Sequence, residues 1–237
     1  MRGCPSGRFC LEGVGSTPRG GRRLLRGVFH VMRSDEEGEV SCDVGLDLEV
    51  IGPFSWIPES SDAPPRIFDA PESRKCGVYL FTVSTAEGLL IYWAGQTSQP
   101  VRTRLATHSR EFLAGTYNVL DVSHLCEGRR TVLWKGLWWR KDSCERYEEY
   151  LLCAGRVAPL TLAQLRSTHV YLIPTPKDRR LLARLEAKIV NTLYADPEVG
   201  PILDRGYSLA PRWENEAPLT IRLSGAKLRG LPRILLV

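Results

Sequence analysis

Long apolar runs are missing from this chain of 237 residues. No stretch approaches the roughly 18–20 consecutive apolar residues that a bilayer-spanning helix needs. The opening MRGCPSGRFCLEGVG has no uninterrupted apolar core of the kind a secretory leader carries. Clustered metal ligands of the zinc type are missing too. The seven cysteines (Cys4, Cys10, Cys42, Cys76, Cys126, Cys144, Cys153) are odd in number and scattered, with no CxxC and no Cys/His pair at zinc-like spacing. Reduced thiols in a cytoplasmic protein, several of them in the core, are the expectation. Lysine is scarce beside arginine, 6 against 26. Arginine is well suited to bidentate phosphate contacts. The net charge of +5 is mild; it suits a polyanionic partner without requiring one. There is no internal repeat.

What is present reads as globular protein: 43% hydrophobic and 25% charged residues, with room for one full domain and a smaller module. Residues 1–22, rich in Gly, Arg and Pro, read as a flexible basic N-terminus. Here Arg19 and Arg22, with Arg23 and Arg26 just beyond, suit phosphate contact or a solvated tail equally. Short apolar stretches in 23–57 suggest a small β-rich module, and the Pro-, Ser- and Asp-dense residues 58–75 a linker. The pattern then sharpens. Residues 77–83 (GVYLFTV) and 89–94 (LLIYWA) read as the strands of a hairpin. A helix follows to about Leu113, with Ser98 as N-cap, Pro100 in its first turn and Gly115 at its end. Residues 116–167 are less regular: a strand near 131–139, a helix over 143–154 and a short helix over 160–166. Residues 169–173 read as a strand and 178–194 as a strong amphipathic helix. The remainder, 195–237, reads as a C-terminal extension.

Three positions stand out from this pattern. In the helix over 178–194, Leu181, Leu182, Leu185, Ile189, Val190 and Leu193 form one stripe, and Glu186 falls inside it. A buried carboxylate costs several kcal/mol unless it is paired or metal-bound, so a buried ion pair, a solvent-reaching edge position or a ligand role is implied. In the helix over 99–113, His108 sits at the centre of the stripe of Val101, Leu105 and Phe112. Arg104 lies one turn before it on the same face. A hydrogen-bonded core histidine and a solvated arginine are the plain readings. In the first strand, Tyr79 shares a face with Phe81 and Val83, and a buried phenol needs a partner.

The ordered set Gly77-Val78-Tyr79, Tyr92-Trp93-Ala94-Gly95-Gln96-Thr97, Arg104-Leu105-Ala106-Thr107-His108 and Glu186 resembles the signature of the GIY-YIG nuclease superfamily. The resemblance covers about half of the chain, from 76 to 194. It implies an α+β fold with a small three-stranded antiparallel sheet (77–83, 89–94, 169–173) flanked by helices, with 116–167 as an insertion before the third strand. It implies hydrolysis of DNA phosphodiesters with one divalent metal, Mg2+ or another, held by Glu186. Tyr79 would activate the attacking water and Arg104 would offset charge on the phosphoryl oxygens. His108 would assist proton transfer or position Tyr79. Gln96, Thr97, Arg102 and Arg110, beside these motifs, are the expected nucleic-acid contacts, and DNA is the expected partner.

Two departures accompany the resemblance. Trp93 stands where the second signature tyrosine belongs, with Tyr92 one position earlier. A one-residue shift turns a strand side chain to the opposite face, so either a bulge brings Tyr92 inward or the second phenol is missing. Indole donates and cannot accept, so Trp93 cannot relay a proton. The family's asparagine beyond the glutamate has no counterpart at the expected spacing, Asn191 being too close and Asn215 too far. A DNA-binding chain with weakened catalysis and a protein-interaction module on the same fold are the competing readings. The cluster Trp134, Trp138 and Trp139 suits a core, an interface or a base-stacking platform.

Overall fold

Eight strands and four α-helices are ordered along residues 45–137, 143–204 and 212–237, which the structure, a computed structural model, describes. The strands are β1 (Gly45–Ser55), β2 (Gly77–Thr85), β3 (Gly88–Thr97), β4 (Val119–Leu120), β5 (Val132–Trp134), β6 (His169–Pro174), β7 (Thr220–Gly225) and β8 (Ile234–Leu236). The helices are α1 (Val101–Leu113), α2 (Val122–Cys126), α3 (Ser143–Ser167) and α4 (Arg179–Ala195). All the described residues belong to one compact unit. The expected N-terminal tail, most of the 23–57 module, Trp138 and Trp139 lie outside the described residues.

The main sheet runs β3-β2-β6-β1-β7-β8. This corrects the expectation of a small three-stranded antiparallel sheet. Strands β3, β2 and β6 pair antiparallel, but β1 adds to the other edge of β6, and β7 then pairs parallel to β1. The fold is α+β with a six-stranded mixed sheet and a second sheet of β4 and β5. The physical reason lies in β6. Val170, Tyr171, Leu172 and Ile173 are all buried, as a central strand covered on both faces must be. A three-stranded sheet would leave one edge of β6 unpaired. The missing partner is the second half of β1, where Ile51 pairs with Leu172 and Phe54 with Val170. Its first half, the alternating run Leu46-Asp47-Leu48-Glu49-Val50 with Leu48 and Val50 buried and Asp47 and Glu49 exposed, pairs with β7. In β7, Ile221 and Leu223 repeat that alternation.

Two further expectations change with the sheet. Gly45–Ser55, read as part of a separate module, is a strand of the main sheet, and 212–237, read as an extension, supplies two more. Residues 58–75 are packed down and do not act as a tether. The Ile67 N–H donates to Ser55 O at 2.9 Å, the Ser55 hydroxyl donates to Pro64 O at 2.7 Å, and Ile67 is completely buried. At the end of β1, Trp56 Nε1 donates to Ser109 Oγ of α1 at 2.9 Å, which ties this segment to the helix.

Residues 143–154 and 160–166, read as two helices, form the single helix α3 through Pro159. A proline inside a helix costs about 3 kcal/mol. Val157, Thr161, Gln164 and Leu165 are buried at helical spacing around it, and burial of that stripe holds one helix across the break. Tyr150 and Val157 of α3 pack with Val119, Trp134 and Leu137 in a small second core, so Trp134 is a core residue. Ser98 does not cap α1; the N-cap is Pro100 and no side chain caps it. Among the described residues, no helix is long and apolar enough to cross a membrane.

Candidate functional site

The hairpin β2–β3 builds the floor of the site. Thr85 closes its turn, its hydroxyl donating to Gly88 O at 2.8 Å and accepting from Glu87 N at 3.2 Å. At the opposite end Tyr79 faces Gly95 across the ladder. The phenol ring lies over the Gly95 backbone, in space that any Cβ would occupy. Next along, Phe81 pairs with Trp93 and Thr82 pairs with Ile91, so Tyr92 is the extra residue of a bulge.

Helix α1 lies over this face. Its buried stripe is Val101, Leu105, His108 and Phe112, and it brings His108 Nε2 to 2.8 Å from Tyr79 Oη. One turn earlier, the Arg104 guanidinium is within hydrogen-bonding range of the same phenol oxygen. A guanidinium only donates, so the phenol accepts from Arg104, and its own O–H can donate to Nε2 in the Nδ1–H tautomer of His108. That tautomer puts the His108 proton on Nδ1, a buried nitrogen with no hydrogen-bond partner among the described residues.

The third element is α4, which packs on β2 and β3. Asp178 caps it, accepting from Arg180 N at 2.8 Å and Leu181 N at 3.1 Å. Arg180 and Arg184 pair with Glu216, and the Arg180 guanidinium lies 4.0 Å over the Trp213 ring. The start of α4 is thereby locked to the segment that leads into β7. Leu182, Leu185, Ile189, Val190 and Leu193 are buried on this helix, and burying each stabilises by about 1.5–3 kcal/mol. That burial carries Glu186 inward with them. Its side chain is 8% exposed, and its charge acts on the Tyr79 phenol.

The electrostatics follow from burial. The Tyr79 phenol is pushed up to about 12, first by burial and further by the Glu186 and Tyr117 charges, against the Arg104 charge and hydrogen bond. His108 is driven down to about 3 by burial and by the nearby Arg104 charge. Both groups are therefore neutral at ordinary pH. Tyr79 is 2% exposed and His108 1% exposed. Arg104 is half-buried and reaches the surface.

Tyr92 has different neighbours. The bulge turns its ring toward Phe81, with centroids 6.2 Å apart, but its hydroxyl lies 2.6 Å from Thr168 Oγ1. Gln164 also hydrogen-bonds it, and burial pushes its ionisation up strongly. Its phenol serves the junction of α3 and β6, away from the Tyr79–His108 pair. Trp93 stacks on Phe81 at 6.3 Å, and its buried Nε1 has no partner among the described residues. Of the expected nucleic-acid contacts, Arg102 and Arg110 are exposed on α1 and Gln96 is half-buried. Thr97 is buried, its hydroxyl accepting from Gln99 N at 3.1 Å.

One residue of this neighbourhood escaped the sequence reading. Tyr117, on the loop after α1, has its ring 5.2 Å from His108, 6.1 Å from Trp93 and 5.0 Å from Phe112. No periodicity marks it. Its only sequence signal is its place two residues after Gly115, which adopts a positive φ of 72° and turns the chain back toward the sheet. A surface cavity of about 400 Å3 lies elsewhere, at the hairpin-turn end of the sheet, lined by Glu87, Glu127, Glu198 and Arg229 among others. The chain matches no family profile, no curated protein and no solved structure.

Proposed function

We propose that Tyr79, Arg104, His108 and Glu186 form a hydrolytic centre for nucleic-acid phosphodiesters, with DNA as the substrate and a divalent cation such as Mg2+ as cofactor. The observation that carries this reading is a cluster drawn from three elements far apart in sequence, with the Tyr79 phenol hydrogen-bonded to α1 and under the charge of Glu186 on α4. Tyr79 Oη is 2.8 Å from His108 Nε2, with the Arg104 guanidinium donating to the phenol and the Glu186 carboxylate acting on it. A base, a cation and a carboxylate around one phenol are the groups in-line displacement at phosphorus needs.

The chain's own residues divide the work as follows. Tyr79 is a neutral phenol, so it acts through hydrogen bonds and not as a standing phenolate. Its oxygen takes a proton from water as its own proton passes to His108 Nε2, and the water oxygen bonds to phosphorus as the leaving oxygen departs. Arg104, the member that reaches the surface, meets the phosphoryl oxygens and balances their growing charge. Glu186, the carboxylate of this cluster, would hold the metal. Among the described residues no three His, Cys, Asp or Glu side chains gather as a metal group. A hard cation bound here would thus complete its shell with water and phosphate oxygens, as Mg2+ readily does. Bound there, it would supply charge neutralisation on the phosphodiester.

The near-closure of the cluster favours a second reading. With Tyr79 2% exposed and His108 1% exposed, the same network serves a DNA-binding or protein-interaction fold that does not cut. The experiment is nicking of supercoiled plasmid by the full chain in Mg2+, with Glu186→Ala beside it. Cleavage lost in the variant supports the hydrolase; binding without cleavage across several divalent metals leaves the second reading.

A further inference from the structure

We infer that Tyr117 supplies the second phenol of this site, a hydrogen-bonding group for the attacking water beside Tyr79, in place of the one the hairpin lacks. This rests on the hydrolase reading above. The hairpin itself offers two candidates, and neither serves. Trp93 carries only an indole N–H, which cannot accept a proton. Tyr92 spends its hydroxyl on Thr168 at 2.6 Å. Tyr117 comes instead from outside the hairpin, its ring 5.2 Å from His108 and tilted 41° to it. It is also close enough to Tyr79 for its own charge to oppose ionisation of that phenol.

Position alone would mean little on a loose loop, and this loop is held at both ends. Before Tyr117, Gly115 O accepts from Trp134 Nε1 at 2.8 Å and from Leu137 N at 3.2 Å. After it, Asn118 Nδ2 donates to Asp204 Oδ1 at 3.0 Å while Asn118 Oδ1 accepts from Gly136 N at 2.9 Å. The segment around β5 and Asp204 together hold the Tyr117 loop in place against α1. A phenol held this way is preorganised, as a group that orients water must be. Tyr117 is half-buried, while Tyr79 and His108 are closed off, so it is partly open to solvent where they are not.

The test uses the full chain and supercoiled plasmid in Mg2+. Tyr117→Phe is expected to lower kcat by about ten-fold or more, within the range of a lost proton-relay group, with KM little changed. Tyr92→Phe is expected to leave kcat near wild type. The ring 15N resonances of His108 should move in Tyr117→Phe and stay in place in Tyr92→Phe. Should Tyr117→Phe not fold, Tyr117→His is read by the same criteria. A Tyr117 variant that cleaves like wild type, or a Tyr92 variant that alone loses kcat, overturns the assignment while the hydrolase stands. A wild-type chain that does not cleave, or a Glu186→Ala chain that cleaves equally, removes the hydrolase reading and this assignment with it.

Discussion

The backbone of Gly95 lies flat against the phenol of Tyr79, so that a Cβ at this position would stand 2.5 Å from Cζ. The ring can reach His108 only because position 95 has no side chain. Gly95→Ala is expected to push the ring off its place, with a loss of about 1–3 kcal/mol typical of overpacking and loss of cleavage. Gly88→Ala is the control. Gly88 has a positive φ of 116° but open space around it, so its cost is conformational only, about 1–3 kcal/mol, and cleavage survives. Urea midpoints and plasmid nicking of the two variants decide this; equal effects on nicking would refute the spatial argument.

Tyr79→Phe removes the hydrogen bond of His108 Nε2 and leaves an imidazole that is 1% exposed. A buried polar atom stripped of its partner costs about 1–3 kcal/mol. His108→Leu removes the same bond from the other side. The two losses share one interaction, so the double variant should lose less than their sum. A double-mutant cycle on urea unfolding measures the coupling, and strict additivity would show that the 2.8 Å contact contributes nothing.

Stability should fall on the acid side from near neutrality. Burial and Arg104 lower His108 from 6.5 to about 3, so between these values the unfolded chain binds a proton that the folded chain refuses. The resulting loss begins as pH falls below about 6.5 and is complete near 3, on the order of a few kcal/mol. His169, also lowered by burial, adds to the loss as pH falls below 6.5. Glu216, held down to about 2 by the Arg180 hydrogen bond, adds a separate loss below 4.5. On the alkaline side Tyr79, pushed up to about 12, keeps its proton folded after losing it unfolded, so stability declines as pH rises from 10. Urea midpoints at pH 7 and pH 5 should differ less in His108→Leu than in wild type; an unchanged difference would mean that His108 is not held neutral by the fold.

Glu186→Gln keeps the shape of the side chain and removes its charge. Relief from burying a carboxylate should offset much of whatever partner energy is lost, leaving stability within about 1–2 kcal/mol of wild type. Cleavage is expected to disappear. Millimolar Mg2+ should raise the melting temperature of wild type and not of the variant, since a ligand stabilises only the state that binds it. A Mg2+ response of equal size in both would place the ion elsewhere.

The sequence by itself determined the local elements. Period-two alternation with β-branched and aromatic residues marks the hairpin 77–97, the 3.6-residue stripe marks α4, and Glu186 declares itself by standing inside that stripe. These signals are local because each depends on side chains a few positions apart. Only tertiary structure decided the rest. The sheet extends past β6 because that strand, buried at its four central residues, needs partners on both edges, and its second partner, β1, lies more than a hundred residues earlier. Which phenol stands beside His108 was equally out of reach. The bulge at Tyr92 turns that ring toward Phe81, yet its hydroxyl goes to Thr168, 76 positions away. Tyr117 reaches the site because Gly136 and Asp204 fix the Asn118 amide next to it. Such long-range hydrogen bonds leave no periodic trace in the chain, since their partners are set by packing of distant segments and not by the spacing of neighbours.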